Sequence, residues 1–243
     1  MDLVKGRVHL GPMTRDFWFR PDTSDGPMLQ QIFVQNEYNF DHLARYPELK
    51  DYYDRKSAQG KRGLIVDGGA NIGASAVAFA LGWSGSRVTA IEPDKGNFKL
   101  LTSNTGGLSI TCVHGALAAS PGKAKVVDIG HGEWAYQTQR VTDAEAEDDS
   151  VPYITIDEIF RNNAKRCFPF IVKIDIEGAE ADVFSANTDW IAATPLIVVE
   201  PHDWLMPKAG TSRAFLRCLA EHDRDFLICG ENICSISNQL TTL

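Results

Sequence analysis

Leu64-Ile-Val-Asp-Gly-Gly-Ala-Asn-Ile-Gly73 is an apolar run that ends in Asp67, breaks into Gly68, Gly69 and Gly73, and leads into an Ala-rich stretch from Ala74. It reads as a buried strand, a glycine turn and a helix start. In that geometry, backbone N–H groups and a helix N-terminus approach a ligand that any Cβ would hold off. The order is D-G-G-x-N-x-G. The G-x-G-x-x-G of dinucleotide binders carries no carboxylate at the strand tip, where it would repel a pyrophosphate. Asp67 does not repel an ammonium, hydroxyls or water, so the loop fits the amino-acid end of S-adenosylmethionine better than the diphosphate of a nicotinamide cofactor.

A second β-branched run, Arg87-Val-Thr-Ala-Ile-Glu92-Pro93, ends in an acid 25 positions after Asp67. In doubly wound folds an acid at the second strand tip, roughly 20 residues after the glycine turn, accepts hydrogen bonds from ribose hydroxyls. Glu92 is placed to do this, and Asp94 is the better N-cap for the helix that follows. Working outward, apolar runs at 64–66, 88–91, 110–113, 170–174, 196–199 and 226–229 alternate with helical patterns at 74–81, 97–104, 156–163, 179–184 and 212–222. Such alternation predicts an α/β fold, a doubly wound, mainly parallel sheet with helices on both faces. A hairpin of 124–129 and 134–141, divided by Gly130-His-Gly132, is expected on the ligand side. An antiparallel closing hairpin is expected over 225–229 and 232–237. Residues 1–60 read as an arm over residues 61–243, with a loop at Pro21–Pro27 and a short helix at 29–34. Asp143–Asp149 carries five acids in seven positions and reads as a solvated loop.

The chain has 243 residues, a net charge of −8 and scattered Lys and Arg, which argues against a nucleic-acid binder and for a small-molecule substrate. No apolar run approaches the length of a membrane span and the N-terminus lacks a signal-peptide core, so a cytoplasmic location is expected. The five cysteines form no CxxC pair and read as buried free thiols rather than zinc ligands.

Phe170-Ile-Val-Lys-Ile-Asp175-Ile-Glu177-Gly178-Ala-Glu180 is a further strand tip crowded with acids. Ligands of open α/β sheets bind at the carboxyl ends of the strands, so Asp175 and Glu177 should share a cleft with Asp67 and Glu92. Glu180 serves either this cleft or the first turn of the next helix. Lys173, two positions back, lies on the same side as Asp175. The fifth strand ends in Glu200-Pro-His202-Asp203-Trp204. His202 has the intrinsic pKa of a general base, with Glu200 and Asp203 near enough in sequence to orient it. Asp175 and Glu200 alternatively hold a divalent cation such as Mg²⁺. His114 and Ala116, at the third strand tip, fall near the cofactor base.

Together, Val66-Asp-Gly-Gly-Ala-Asn-Ile-Gly73, Ile91-Glu-Pro93, Lys173-Ile-Asp-Ile-Glu-Gly-Ala-Glu180 and Val199-Glu-Pro-His202 resemble the FkbM family of S-adenosylmethionine-dependent methyltransferases, over about residues 64–202. Gly68 departs from the Val or Ile frequent in the family. A fainter match lies at Phe33-Val-Gln-Asn-Glu-Tyr38. The resemblance implies a seven-stranded class I methyltransferase fold and O-methylation of a hydroxyl on a sugar, glycan or natural product. It carries over Asp67, Gly69, Asn71, Gly73 and Glu92 as cofactor residues, with Asp175 and Glu177 at the reacting centre. Trp134, Tyr136 and Trp204 supply flat rings for a sugar-like acceptor. A nicotinamide-dependent oxidoreductase lacks its glycine motif here. A non-catalytic S-adenosylmethionine-binding module would show erosion at Asp67, Gly73, Glu92 or Asp175, and none is eroded.

Overall fold

Leu64, Ile65 and Val66 are all buried although successive strand residues point to opposite faces, which requires cover on both sides of the sheet. The computed structural model, which describes residues 3–10, 13–128, 136–142, 146 and 150–241, supplies that cover. The chain opens with an antiparallel pair, β1 (Val4–Leu10) and β2 (Met13–Phe19), and two helices, α1 (Asp25–Phe33) and α2 (Tyr46–Ala58). Alternation follows: β3 (Arg62–Gly68), α3 (Ala74–Gly82), β4 (Arg87–Glu92), α4 (Lys95–Thr105) and β5 (Ile110–His114). Four short strands come next, β6 (Ala116–Leu117), β7 (Gly122–Asp128), β8 (Tyr136–Val141) and β9 (Val151–Ile154). The rest is α5 (Ile156–Asn163), β10 (Cys167–Ile174), the single turns α6 (Glu180–Val183) and α7 (Trp190–Ala193), β11 (Leu196–Val199), α8 (Thr211–Ala220), β12 (Arg224–Cys229) and β13 (Asn232–Ser237).

The main sheet has seven strands in the order β12-β13-β11-β10-β3-β4-β5, parallel except for β13. This is the expected doubly wound sheet with its closing hairpin. Strand order reverses between β3 and β10, and the crevice outside their carboxyl ends is where such sheets bind ligands. Pro169 is tolerated in a central strand because the ladder to β3 shifts register between Pro169 and Ile171. One hydrophobic cluster fills each face: Ile65, Phe170 and Leu196 on one side, Val66, Val172 and Ile197 on the other.

The first 60 residues are more structured than the sequence reading expects. The Pro21–Pro27 segment is a loop only at its start, since α1 begins at Asp25 and takes in Pro27. Proline is accepted there because the first turn of a helix needs no N–H donor. Arg20 pairs with Asp25 at 2.7 Å, both buried, and also donates to Asn97 of α4. Leu49, Tyr52 and Tyr53 of α2 pack onto Trp83, Phe168 and Phe170, in the same cluster as Ile65. Burying side chains of this size is worth about 1.5–3 kcal/mol each, enough to dock an otherwise polar helix.

The inserted hairpin forms as β7 and β8 and joins β6 and β9 in a second, four-stranded sheet. Trp134, the Tyr136 side chain, the Gly130–Gly132 turn and most of Asp143–Asp149 lie outside the described residues. Among the described residues no helix is long and apolar enough to cross a membrane, and the five cysteines are free thiols.

Candidate active site at the strand switch point

The glycine turn is built by backbone constraints. Gly69, Asn71 and Gly73 all take positive φ, at 74°, 48° and 95°. A Cβ on Gly69 would stand 1.7 Å from the Asp175 carbonyl oxygen, so only glycine lets β3 and β10 close at their tips. At Gly73 the crowding comes instead from Leu101 and Thr105, which makes this glycine a packing contact between α3 and α4. At Gly68 a Cβ would meet Leu117, whose side chain fills the space that a larger residue would occupy.

Glu92 sits at the tip of β4, 4% exposed. Its two oxygens accept from Asn71 N and Asp94 N, each at 2.9 Å. Burial pushes its carboxyl up to about 7, against the pull of these two N–H donors. Asp94, as expected, caps α4 by accepting from Asn97 N. The Asn71 side-chain oxygen is buried without a hydrogen-bond partner.

Lys173 is 2% exposed and ties the two strand tips together. Its ammonium donates to Gly69 O at 2.8 Å and lies 3.1 Å from Asp175 and 3.3 Å from Asp67. Burial alone would lower its pKa, but the carboxylates of Asp175 and Asp67 outweigh that and hold it well above the ordinary lysine range. Asp67 is fully buried, and its other oxygen accepts from Ser75 Oγ at 2.7 Å.

After β10 the chain turns through Glu177 and Gly178, both at positive φ. Gln137 of β8 donates to Glu177 O, so the second sheet braces this turn. His202 follows β11 and is 1% exposed, with Nδ1 2.8 Å from Glu180 Oε1. Glu180 also accepts from Gly178 N, so it serves the cleft as well as the turn. Nε2 faces Glu177 at 3.2 Å and Asp175 and Glu200 at 3.6 Å each. Burial, then the Asp175 charge, pushes Glu177 and Glu200 up to about 8. Burial pulls His202 down, but the Glu180 hydrogen bond and the surrounding carboxylates carry it up to about 9. Asp203 does not orient His202. It accepts from Thr211 and Ser212 at the start of α8, because the turn after His202 points it that way.

A cavity of about 310 Å³ lies over these tips. Gly69, Asn71, Glu92, Ala116, Asp175, Glu177 and Glu200 line it. Asp67, Gly73, His114 and His202 stand behind the wall. His114 stacks on Phe98 and its Nε2 meets Pro93 O. Among the residues without an assigned role in the sequence reading that also reach the wall are Glu37, Gly115 and Lys173. Glu37 comes from the arm, held by Gln31 and Asn232, and its only sequence signal was the short match at Phe33–Tyr38. Trp204, 60% exposed, stands at the rim.

Comparison with protein families matches residues 67–226 to the methyltransferase FkbM domain. No curated protein sequence matches the chain. Among solved structures, the chain is similar to a Thermus thermophilus 16S rRNA N2 G1207 methyltransferase in complex with AdoMet and guanosine, at 13% identity and TM-score 0.42 over 97% of this chain and 51% of that one. It thus spans about half the length of that enzyme. It is also similar to an O-methyltransferase from Bacillus cereus in complex with SAH, at 14% identity and TM-score 0.39, over 87% of this chain and 91% of that one.

Proposed function

Because this chain belongs to the FkbM family of S-adenosylmethionine-dependent methyltransferases, we propose that it transfers the methyl group to a hydroxyl oxygen of a sugar, glycan or related natural product in the cytoplasm. The observation that carries this reading is the group of three carboxylates, Asp175, Glu177 and Glu200, on the cavity wall beside the glycine turn. Such a wall can hydrogen-bond several hydroxyls at once and accept a proton from one of them.

The cofactor side fits the residues present. Gly69 lines the cavity, and the buried Asn71 side-chain oxygen is left for a donor. Glu92 accepts from Asn71, Asp94 and the Asn97 side chain, and since a carboxylate takes about four hydrogen bonds in all, an acceptor site is left for a ribose hydroxyl. Gly115 and Ala116 line the cavity beyond Glu92 and are our assignment for the side of the base. Asp67 acts through Lys173, which fixes the Gly69 carbonyl and Asp175 together. Bound S-adenosylmethionine supplies an electrophilic methyl on a cationic sulfur.

The chain's own work is then to orient the acceptor and remove its proton. His202, held near pH 9, keeps its proton at neutrality and is a poor base there. Glu177 is the better candidate. Its Oε2 is buried with no hydrogen-bond partner, its backbone is held at positive φ, and a carboxyl near 8 sits close to the operating pH. The exposed Trp204 ring offers a flat surface to the apolar face of a sugar.

Calorimetry with S-adenosylhomocysteine should give saturable binding, weakened by about 1–3 kcal/mol in Glu92→Ala. Methyl-labelled S-adenosylmethionine offered to an acceptor panel should label a sugar-bearing compound in an alkali-stable ether. Labelling of RNA, DNA or protein, or an alkali-labile ester, would overturn the acceptor reading and leave the cofactor assignment standing.

A further inference from the structure

His202 is 1% exposed, and its Nε2 makes no hydrogen bond although three carboxylates stand 3.2–3.6 Å away. Its other nitrogen is committed, since Nδ1 meets the buried Glu180 carboxylate at 2.8 Å. With Nδ1–H donating to Glu180 and the Nε2 proton released, the Nε2 lone pair points at Glu177, Asp175 and Glu200. Bare, that is a repulsive arrangement; around a cation it is a ligand set. One oxygen each of Asp175 and Glu200 and a nitrogen of His202 lie within 4.8 Å of one another. Ligands bound at about 2.1 Å stand about 3.0–3.5 Å apart around one ion, and His202 Nε2 stands 3.6 Å from Asp175 and from Glu200, so a small contraction would seat the ion.

We propose that Asp175, Glu200 and His202 form a site for one divalent first-row transition cation, of the Mn²⁺ type. Charge counting supports it. Asp67, Asp175, Glu177, Glu180 and Glu200 converge on this end of the cavity, and Lys173 is already shared between Asp67 and Asp175. The histidine nitrogen changes the metal expected from the two carboxylates alone. Mg²⁺ takes oxygen ligands, whereas imidazole with carboxylates suits Mn²⁺, Fe²⁺ or Zn²⁺. Glu180 behind His202 is the partner that fixes the tautomer and ring of a metal-bound histidine and raises its basicity. Glu177 Oε2, buried and without a hydrogen bond, is within reach as a further ligand. Asp175 and Glu200 line the cavity, so on the reading above, and resting on it, the open positions of the ion face the acceptor's hydroxyl.

The test uses the full chain stripped with chelator and titrated with Mn²⁺, free Mn²⁺ being read by its electron paramagnetic resonance signal. One ion per chain is expected, displaced by Zn²⁺ or Co²⁺ more readily than by Mg²⁺. Asp175→Asn and His202→Gln should abolish binding, and Glu180→Gln should weaken it 10–100-fold. Circular dichroism melts confirm that each variant is folded, with Glu180→Gln as the arm that keeps all three ligands. Absence of saturable binding of Mn²⁺, Co²⁺ and Zn²⁺ at millimolar concentration would overturn the proposal, as would binding that survives both ligand substitutions. Calorimetry with S-adenosylhomocysteine on the same metal-free samples reports the cofactor reading separately.

Discussion

Lys173→Met is the perturbation that tests the centre of this site most directly. Methionine keeps the bulk of the stem and deletes the ammonium, which stands 3.3 Å from Asp67 and 3.1 Å from Asp175. Asp175 is 22% exposed and regains water. Asp67 is fully buried, and among the described residues Ser75 is the one remaining donor to it. Removing one partner of a buried pair leaves an uncompensated charge and costs about 3–5 kcal/mol. The loss should grow with pH. A lone buried carboxylate has its folded pKa raised, so its stability contribution is present at low pH and lost as pH rises. Adding Asp67→Asn keeps an acceptor for Ser75, removes the stranded charge, and should restore at least about 2 kcal/mol. Urea unfolding of the wild type, both single variants and the double variant, without ligand at pH 5.5 and 8, measures all of this. A loss below about 1 kcal/mol in Lys173→Met, or no recovery in the double variant, would refute the claim that Lys173 holds the two strand tips by charge.

The ligand-free protein should melt at lower temperature as pH rises from 5.5 to 9. Glu92, Glu177, Glu200 and His202 all have raised folded pKa values, about 7, 8, 8 and 9, so each contribution is full below the unfolded pKa and lost as pH rises through the folded one. Glu92 alone carries about 2 kcal/mol of this, and a Glu92→Gln melt with an unchanged pH slope would contradict it. Gly69→Ala should cost more than about 3 kcal/mol, or block folding, because Cβ overlap with a backbone carbonyl adds to left-handed strain; a normal melt would show that the turn adapts. Trp204→Ala, at an exposed position, should leave the melt within about 0.5 kcal/mol of wild type and raise KM for the acceptor with little effect on cofactor binding. An unchanged acceptor KM would remove the ring from the site.

Much of the main sheet is legible from the sequence because buried parallel strands are continuous apolar runs punctuated by glycines. Leu64–Val66, Val88–Ile91 and Leu196–Val199 are of that kind, and α5 matches its pattern at both ends. The arm is less legible. Helix α2 shows an apolar face of only Leu49, Tyr52 and Tyr53 in a polar stretch, and Pro47 in its first turn is its one clear start signal. Among the described residues of the β1–β2 hairpin only Phe17 is a buried hydrophobic, and the alternation of Val4, Val8 and Leu10 with Lys5, Arg7 and His9 was the signal that could have found it. At the site, the strand-tip acids could be read one by one. What could not be read was their pairing: Glu180 with His202 across 22 positions, and Lys173 with Gly69 across 104. Such contacts follow from strand order, which apolar runs alone do not give.

The same strand order explains why the cavity is more than its motifs. The glycine turn, Glu92 and the carboxylates occupy one wall, all drawn from tips of adjacent parallel strands. The facing wall comes from elsewhere, with Met28, Gln31, Glu37 and Tyr38 from the arm and Glu231 from the closing turn. Glu37 joins these pieces by accepting from both Gln31 of α1 and Asn232 of β13, and Tyr38 packs on Phe79 of α3. Both anchors are buried or half-buried, so the arm is held by the same core that fixes the glycine turn. A ligand contained between the two walls therefore draws on the packing of residues nearly two hundred positions apart. The strand tips supply the carboxylates of the cavity, while the arm, which lies outside the residues that match the family, supplies much of the rest of its lining.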